Sequence, residues 1–362
     1  MAPPPENSPV KVALQHRLNP MNKGCLMSHR TRPAWFASLP LLLAAVFSAA
    51  MTAAVPAHAQ ERWPARPVTL VIPFPAGGGT DIIARTLAVR LQERLGRPFV
   101  IENRPGAGGL IGTQQVAKAA PDGYTYVIGI TNTFAINPAF YKDKTLPYDP
   151  VKDFQPVSML AIGPHVLVIH PDTPAKTMRE YIEWGKTQKD KLSYASYGNG
   201  STAHLITEML KEQNGLDFVH VPYKGIPPAL ADVMGGRVTL LVSSTAPAVP
   251  LIQAGRLRAL AIYGDKRLES LPEVPTMQEL GFKDTNLQIW YGLFAPAGTP
   301  MPIIERMNTE LRAILSSREV QDIFVKAGIF ASPTGIEEYA AFVKAETERW
   351  GRLVRISGAV AE

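Results

Sequence analysis

The chain has 362 residues, with 37 Lys and Arg against 31 Asp and Glu, and a single cysteine. Much of its formal charge of +6 lies ahead of residue 60, and no Lys/Arg run interleaved with aromatics follows, which removes the main support for nucleic-acid binding. Cys25 falls in that same leader, so the rest of the chain has no disulfide, thiol nucleophile or cysteine metal ligand and depends on its apolar core.

Arg30 and Arg32 precede an uncharged stretch, residues 35–55, that ends in Ala57-His58-Ala59. This reads as a signal peptide with an A-x-A cleavage site, placing the mature start at Gln60 and leaving 303 residues. An uncleaved transmembrane anchor is the alternative, opposed by Pro40, Pro56 and the small residues at the end of the run. Five basic residues (Lys11, Arg17, Lys23, Arg30, Arg32) and one acid (Glu6) leave with the leader, taking the net charge from +6 to +2.

After Gln60 the order of apolar runs and amphipathic segments is strand, helix, strand, helix, which predicts an α/β fold with largely parallel sheets. Residues 68–72 read as a buried strand, followed by the turn Pro73-Phe74-Pro75-Ala76-Gly77-Gly78-Gly79-Thr80-Asp81. Ile83, Leu87, Leu91 and Leu95 then recur every fourth residue, a helix with one buried stripe. A strand at 99–101 runs into a glycine-rich turn at 102–109 and a short helix, and Pro121-Asp122-Gly123 turns into a strand at 124–130. Further strands are predicted at 165–169, 192–195, 218–221, 239–242 and 257–262, with helices beginning near Met178, Thr202, Pro227 and Pro247. Another strand enters near 290–294, Thr299-Pro300 opens a helix, and residues 336–356 form a last helix with Tyr339, Phe342, Val343, Trp350 and Val354 on its apolar side. No low-complexity linker interrupts the series, so two lobes share the chain by crossing over near 162–164 and 282–286.

Two glycine-rich turns, at 73–81 and at Tyr197-Gly198-Asn199-Gly200-Ser201-Thr202, each join a strand to a helix. Such a junction leaves backbone N–H groups unpaired at the positive end of a helix dipole, a favourable place for a carboxylate or phosphate. The plain alternative is that the glycines only permit a tight turn. The first turn has neither the G-x-G-x-x-G spacing nor the Gly-Lys-Ser/Thr of a P-loop, and Asp81 would support the helix start while repelling an anion. Ser201 and His204 share one helical turn without a G-x-S-x-G elbow, which speaks against a hydrolase. His165, His170, His204 and His220 lack metal-ligand spacing. No activated nucleophile, acid–base pair or metal constellation is legible, so neither enzymatic activity nor a cofactor is expected.

Seven ordered segments carry a resemblance: Trp63-Pro64-Ala65-Arg66-Pro67-Val68-Thr69, the Pro-Phe-x-Ala-Gly-Gly-x-x-Asp turn, Glu102-Asn103-Arg104-Pro105-Gly106-Ala107-Gly108-Gly109, Val221-Pro222-Tyr223-Lys224-Gly225, Gly255-Arg256-Leu257-Arg258-Ala259-Leu260-Ala261, Leu271-Pro272-Glu273-Val274-Pro275-Thr276 and Ala295-Pro296-Ala297-Gly298-Thr299-Pro300. Across the whole mature chain they resemble the Bug or TctC family, the periplasmic solute receptors of tripartite tricarboxylate transporters. The resemblance implies a two-lobed, type II-like periplasmic binding-protein fold, with 60–162 and 283–362 as one lobe, 163–282 as the other, and 1–59 as leader. It implies a small organic carboxylate held in the cleft by Phe74, Ala76, Gly77 and Gly78 on one side. Gly198, Asn199, Gly200, Ser201 and Thr202, with His204 behind, face it from the other, and Thr131, Asn132 and Thr133 reach the same place. Tyr223 and Ser243 join the expected contacts, and Lys224 is either solvated or a cleft residue. Two departures stand out: Ser243-Ser244 replaces an aspartate common in the family, and Tyr197 either lines the pocket or packs behind it. A monomer serving an integral-membrane permease pair is implied, or alternatively the ligand-sensing subunit of a sensor kinase.

Overall fold

The computed structural model describes residues 63–142, 146–188, 192–283 and 285–359, so the expected signal peptide, its expected cleavage site and Cys25 lie outside the described residues. Strand and helix first alternate through β1 (Val68–Ile72), α1 (Gly79–Leu95), β2 (Phe99–Asn103), α2 (Leu110–Ala117), β3 (Thr125–Ile130) and the short α3 (Asn137–Phe140). Then come β4 (Phe154–Gly163), β5 (His165–Ile169), α4 (Met178–Thr187), β6 (Ser193–Ser196), α5 (Thr202–Asn214), β7 (Val219–Pro222), α6 (Ile226–Met234), β8 (Leu240–Ser244), α7 (Thr245–Gln253) and β9 (Arg258–Tyr263). The chain finishes through β10 (Ile289–Pro296), α8 (Met301–Leu315), α9 (Arg318–Lys326), β11 (Phe330–Ala331) and α10 (Ile336–Ile356). None of the described helices is long and apolar enough to cross a membrane.

The strands sort into a six-stranded sheet, β11-β4-β10-β3-β1-β2, and a five-stranded sheet, β7-β6-β8-β5-β9. The expectation of largely parallel sheets is corrected here. β1 runs parallel to β2 and β3, and β6 to β7 and β8, because each pair is joined by a helix-bearing crossover. β5, which brings the chain out of the first sheet, lies antiparallel between β8 and β9. β10, which brings it back, lies antiparallel between β3 and β4. A strand arriving from the other sheet enters from the opposite end, so both returning strands are reversed relative to their neighbours.

The helices form for local reasons. α1 buries Ile83, Leu87 and Leu91 while Arg85 and Arg94 point outward, and it stops at Gly96 in the left-handed conformation. α10 buries Tyr339, Val343, Trp350 and Val354. Its Tyr339 packs over Gly292 of β10, where a Cβ would fall 1.5 Å from the phenolic oxygen. Phe134 and Phe294 stack in the same core with centroids 3.6 Å apart. β4, α9 and β11 carry no clear signal in the sequence: β4 includes Pro156 inside its ladder, and β11 spans only two residues.

Candidate functional site

The carboxyl ends of β1, β3, β6 and β8 release the turns that precede α1, the Thr131 segment, α5 and α7. Ligands of open α/β sheets bind outside such ends. Because β5 and β10 are reversed, their first residues join the same edges: His165 lies opposite Ser244, and Tyr291 opposite Ile130. The turns of the two sheets meet there. Pro75 abuts Gly225, Gly77 and Gly78 lie against Pro227, and Gly198 packs on the α-carbon of Gly108. Between them sits a cavity of about 20 Å³, enough for one water. It is lined from the first sheet by Phe74, Pro75, Gly78, Gly79, Thr80, Ile130, Ile289 and Tyr291, and from the second by Tyr197, Ile226, Pro227 and Ser244.

The first turn is braced from behind. The Asp81 carboxylate accepts from the Gly77 N–H at 3.0 Å, from Arg85 at 2.8 Å and from Asn103 at 3.2 Å. Asn103 also donates to the Phe74 carbonyl at 3.1 Å. Burial pushes the Asp81 pKa up, but the bonds from Arg85, Gly77 and Asn103 outweigh it and hold the carboxyl below its ordinary range. Asp81 therefore neutralises Arg85 and fixes the turn. No side chain caps α1 at Gly78, which leaves the first-turn N–H groups of α1 without a side-chain acceptor beside the cavity.

The second turn is organised by two buried histidines. His165 donates from Nδ1 to the Leu287 carbonyl at 2.8 Å and accepts the Thr202 hydroxyl at Nε2, also at 2.8 Å. Burial drives its pKa down to about 4 against the Leu287 bond, so it is neutral. The Tyr197 hydroxyl is in close contact with the same Thr202 oxygen. His204 accepts the Gly200 N–H at Nδ1, 3.1 Å away, and burial, then His220 and Lys211, lower its pKa to about 3. Ser201 caps α5 by accepting from the His204 N–H at 3.2 Å.

The expected contact residues are spread around this arrangement. Phe74 and Gly78 line the cavity; Ala76 and Gly77 form the rest of that turn, outside the lining. Asn132 accepts the Thr202 N–H through Oδ1 at 3.3 Å, and its Nδ2 has no partner. Thr131 accepts the Trp290 N–H, and Thr133 closes a local turn with Ile130. Asn199 keeps an unpaired Oδ1. Tyr223 donates to Asp232 at 2.5 Å, and Lys224 is exposed. Ser243 donates to the Ser244 carbonyl at 2.9 Å. Of the alternatives for Tyr197, lining is the one observed.

Two cavity residues are absent from the expected set. The hydroxyls of Tyr291, 1% exposed, and Ser244, fully buried, have no hydrogen-bond partner. They are near enough to influence one another, but no hydrogen bond of acceptable geometry joins them. Burial raises the Tyr291 pKa, so its phenol stays protonated. Among the described residues that line the cavity none is Asp, Glu, Lys or Arg. Among the described residues there is also no group of three or more His, Cys, Asp or Glu placed to hold a metal ion.

Two sheets joined by two crossovers, with the carboxyl ends of their strands facing one cleft, define a two-lobed binding protein of the periplasmic type. The chain belongs to the tripartite tricarboxylate transporter receptor family, TctC, whose model matches residues 83–358. It is similar to Protein BugT of Bordetella pertussis, 36% identical over 323 residues that span 88% of this chain and 97% of that one. An R. palustris protein solved with adipate is 36% identical and superposes with a TM-score of 0.80, over 82% of this chain and 99% of the other. MatC of Rhodopseudomonas palustris, solved with bound malate, is 33% identical with a TM-score of 0.76, over 81% of this chain and 100% of MatC. The family is one of solute receptors and not of enzymes.

Proposed function

We propose that this chain is a monomeric periplasmic receptor that captures a small organic carboxylate between its lobes and presents it to an integral-membrane permease pair. The lobes are assigned as 60–162 with 283–362, and 163–282. The transfer of strands from one sheet to the other between Gly163 and His165 supports that division. The observation that carries the reading is the uncapped start of α1, which opens onto a cavity shared by both lobes while Asp81 is occupied behind it. Helix dipole and free N–H groups there favour an anion, and surrounding apolar groups such as Phe74 exclude water and strengthen its hydrogen bonds. The relatives that hold adipate and malate support a carboxylate as that anion. A ligand touching both lobes favours the closed arrangement, since only differential contact shifts such an equilibrium.

A thermal-shift screen of the ligand-stripped protein against mono-, di- and tricarboxylates and aromatic acids tests this reading. Binding to the native chain alone raises the midpoint by mass action. A raised midpoint with one carboxylate class is the expected result; a flat response across the panel contradicts it.

A further inference from the structure

Building on the carboxylate reading above, we infer that the Tyr291 and Ser244 hydroxyls form a two-sided donor pair for one carboxylate end of the ligand, and that the pocket they share rejects α-amino acids. Tyr291 comes from β10 of the first sheet and Ser244 from the end of β8 in the second. Both converge on Gly79, where a Cβ would lie 2.7 Å from one oxygen and 3.4 Å from the other.

Each hydroxyl is buried and unpaired. A buried polar group without a partner is costly and uncommon in a native fold, and two beside one uncapped helix start call for a common acceptor. Ser244 occupies the N-cap position of α7, yet its side chain makes no capping bond, whereas the neighbouring Ser243 is satisfied by the Ser244 carbonyl. The free hydroxyl is thus the one on the cavity side. An acceptor bridging Tyr291 and Ser244 touches both lobes; the space between them admits one oxygen in this arrangement, so the lobes part to take the rest of the ligand and close again on its carboxylate.

Selectivity follows from charge. The carboxylate is met by N–H and O–H dipoles, which suit an anion in a pocket without cations. An α-ammonium brought in with it finds no carboxylate among the lining residues, and Asp81 already serves Gly77, Arg85 and Asn103. Desolvating that ammonium without a partner is strongly unfavourable.

Isothermal titration of the whole protein with matched pairs, succinate and aspartate, glutarate and glutamate, adipate and 2-aminoadipate, tests both parts. The best-bound acid is expected to bind at least about tenfold tighter than its amino counterpart. Tyr291→Phe and Ser244→Ala should each weaken that acid by about tenfold or more, the loss expected for a hydrogen bond to a charged group. Each variant gives up at most the weak contact between the two hydroxyls in the free protein, so the ligand-free melting temperature should fall by no more than a few degrees. Wild-type affinity in both variants overturns the donor pair, and equal affinity for acid and amino acid overturns the selectivity, while the receptor reading survives either. Where another acid of the thermal-shift panel binds best, it and its α-amino counterpart take the place of these pairs; a wild type that binds no acid of that panel overturns the receptor reading and this one together.

Discussion

The Gly79 α-carbon lies so near the Tyr291 hydroxyl that a Cβ there would sit 2.7 Å away, with the Ser244 hydroxyl at 3.4 Å. Gly79 is the first residue of α1, with ordinary helical geometry, so its lack of a side chain serves this approach and not an unusual φ. Gly79→Ala is expected to push Tyr291 out of place, fill the small cavity and abolish carboxylate binding. Overpacking of this kind costs about 1–3 kcal/mol of stability. Titration calorimetry and urea unfolding of the variant check both effects.

Gly78 behaves differently. Its φ is −77°, and a Cβ would meet only Pro75 and Pro227, at 3.6 Å and 4.0 Å. Gly78→Val should therefore keep the wild-type circular dichroism and unfolding midpoint within about 1 kcal/mol, yet lose most carboxylate affinity, since the valine projects between the two lobes. Unchanged affinity in the folded variant would remove this turn from the site.

Gly292 follows Tyr291 in β10 and meets the core behind it. An added methyl lands 1.5 Å from the Tyr339 oxygen in the core between β10 and α10. Gly292→Ala is expected to lower stability by roughly 3 kcal/mol, measured as a reduced urea midpoint, and to weaken carboxylate binding because the displaced strand carries Tyr291 with it.

Asn103 braces the first turn through Phe74 and Asp81. Its replacement by alanine removes two hydrogen bonds and should cost about 1–2 kcal/mol of stability while weakening ligand binding through a looser Phe74–Gly78 segment. Chemical denaturation and titration of the same preparation separate the two effects.

The second turn makes the fold sensitive to acid. His165 and His204 have folded pKa values lowered from 6.5 to about 4 and about 3, mainly by burial. Below pH 6.5 the unfolded chain takes up protons that the native chain cannot, so stability is complete above that pH and falls as acid is added, until the folded values are passed. The loss from His165 alone is on the order of 3 kcal/mol. His204→Asn keeps an acceptor for the Gly200 N–H and removes one titrating group. Urea midpoints between pH 4.5 and 8 should slope less steeply in that variant, and an unaltered slope would contradict this assignment.

Much of this architecture is legible in the sequence because its signals are local. The repeat of Ile83, Leu87 and Leu91 marks α1, and glycines mark the turns that open α1 and α5. Sheet polarity is not local. Which strand lies beside β3 or β8 depends on where the crossing chain inserts, and nothing in residues 165–169 or 289–296 encodes that they run backwards. Tyr291 is illegible in the sequence for the same reason: binding turns follow the carboxyl ends of parallel strands, and Tyr291 reaches the site from the amino end of a reversed one. Ser244 was within reach, since Ser243-Ser244 stands out as a pair. Strand alternation alone does not tell which hydroxyl is satisfied by backbone and which is left over.

The most direct test of a carboxylate held at the start of α1 is the crystal structure of the protein with the acid that raises its melting temperature most. One carboxylate group is expected within hydrogen-bonding distance of the first N–H groups of α1 and of the Tyr291 and Ser244 hydroxyls. A ligand lodged elsewhere in the cleft, with those hydroxyls still unpaired, would contradict the account.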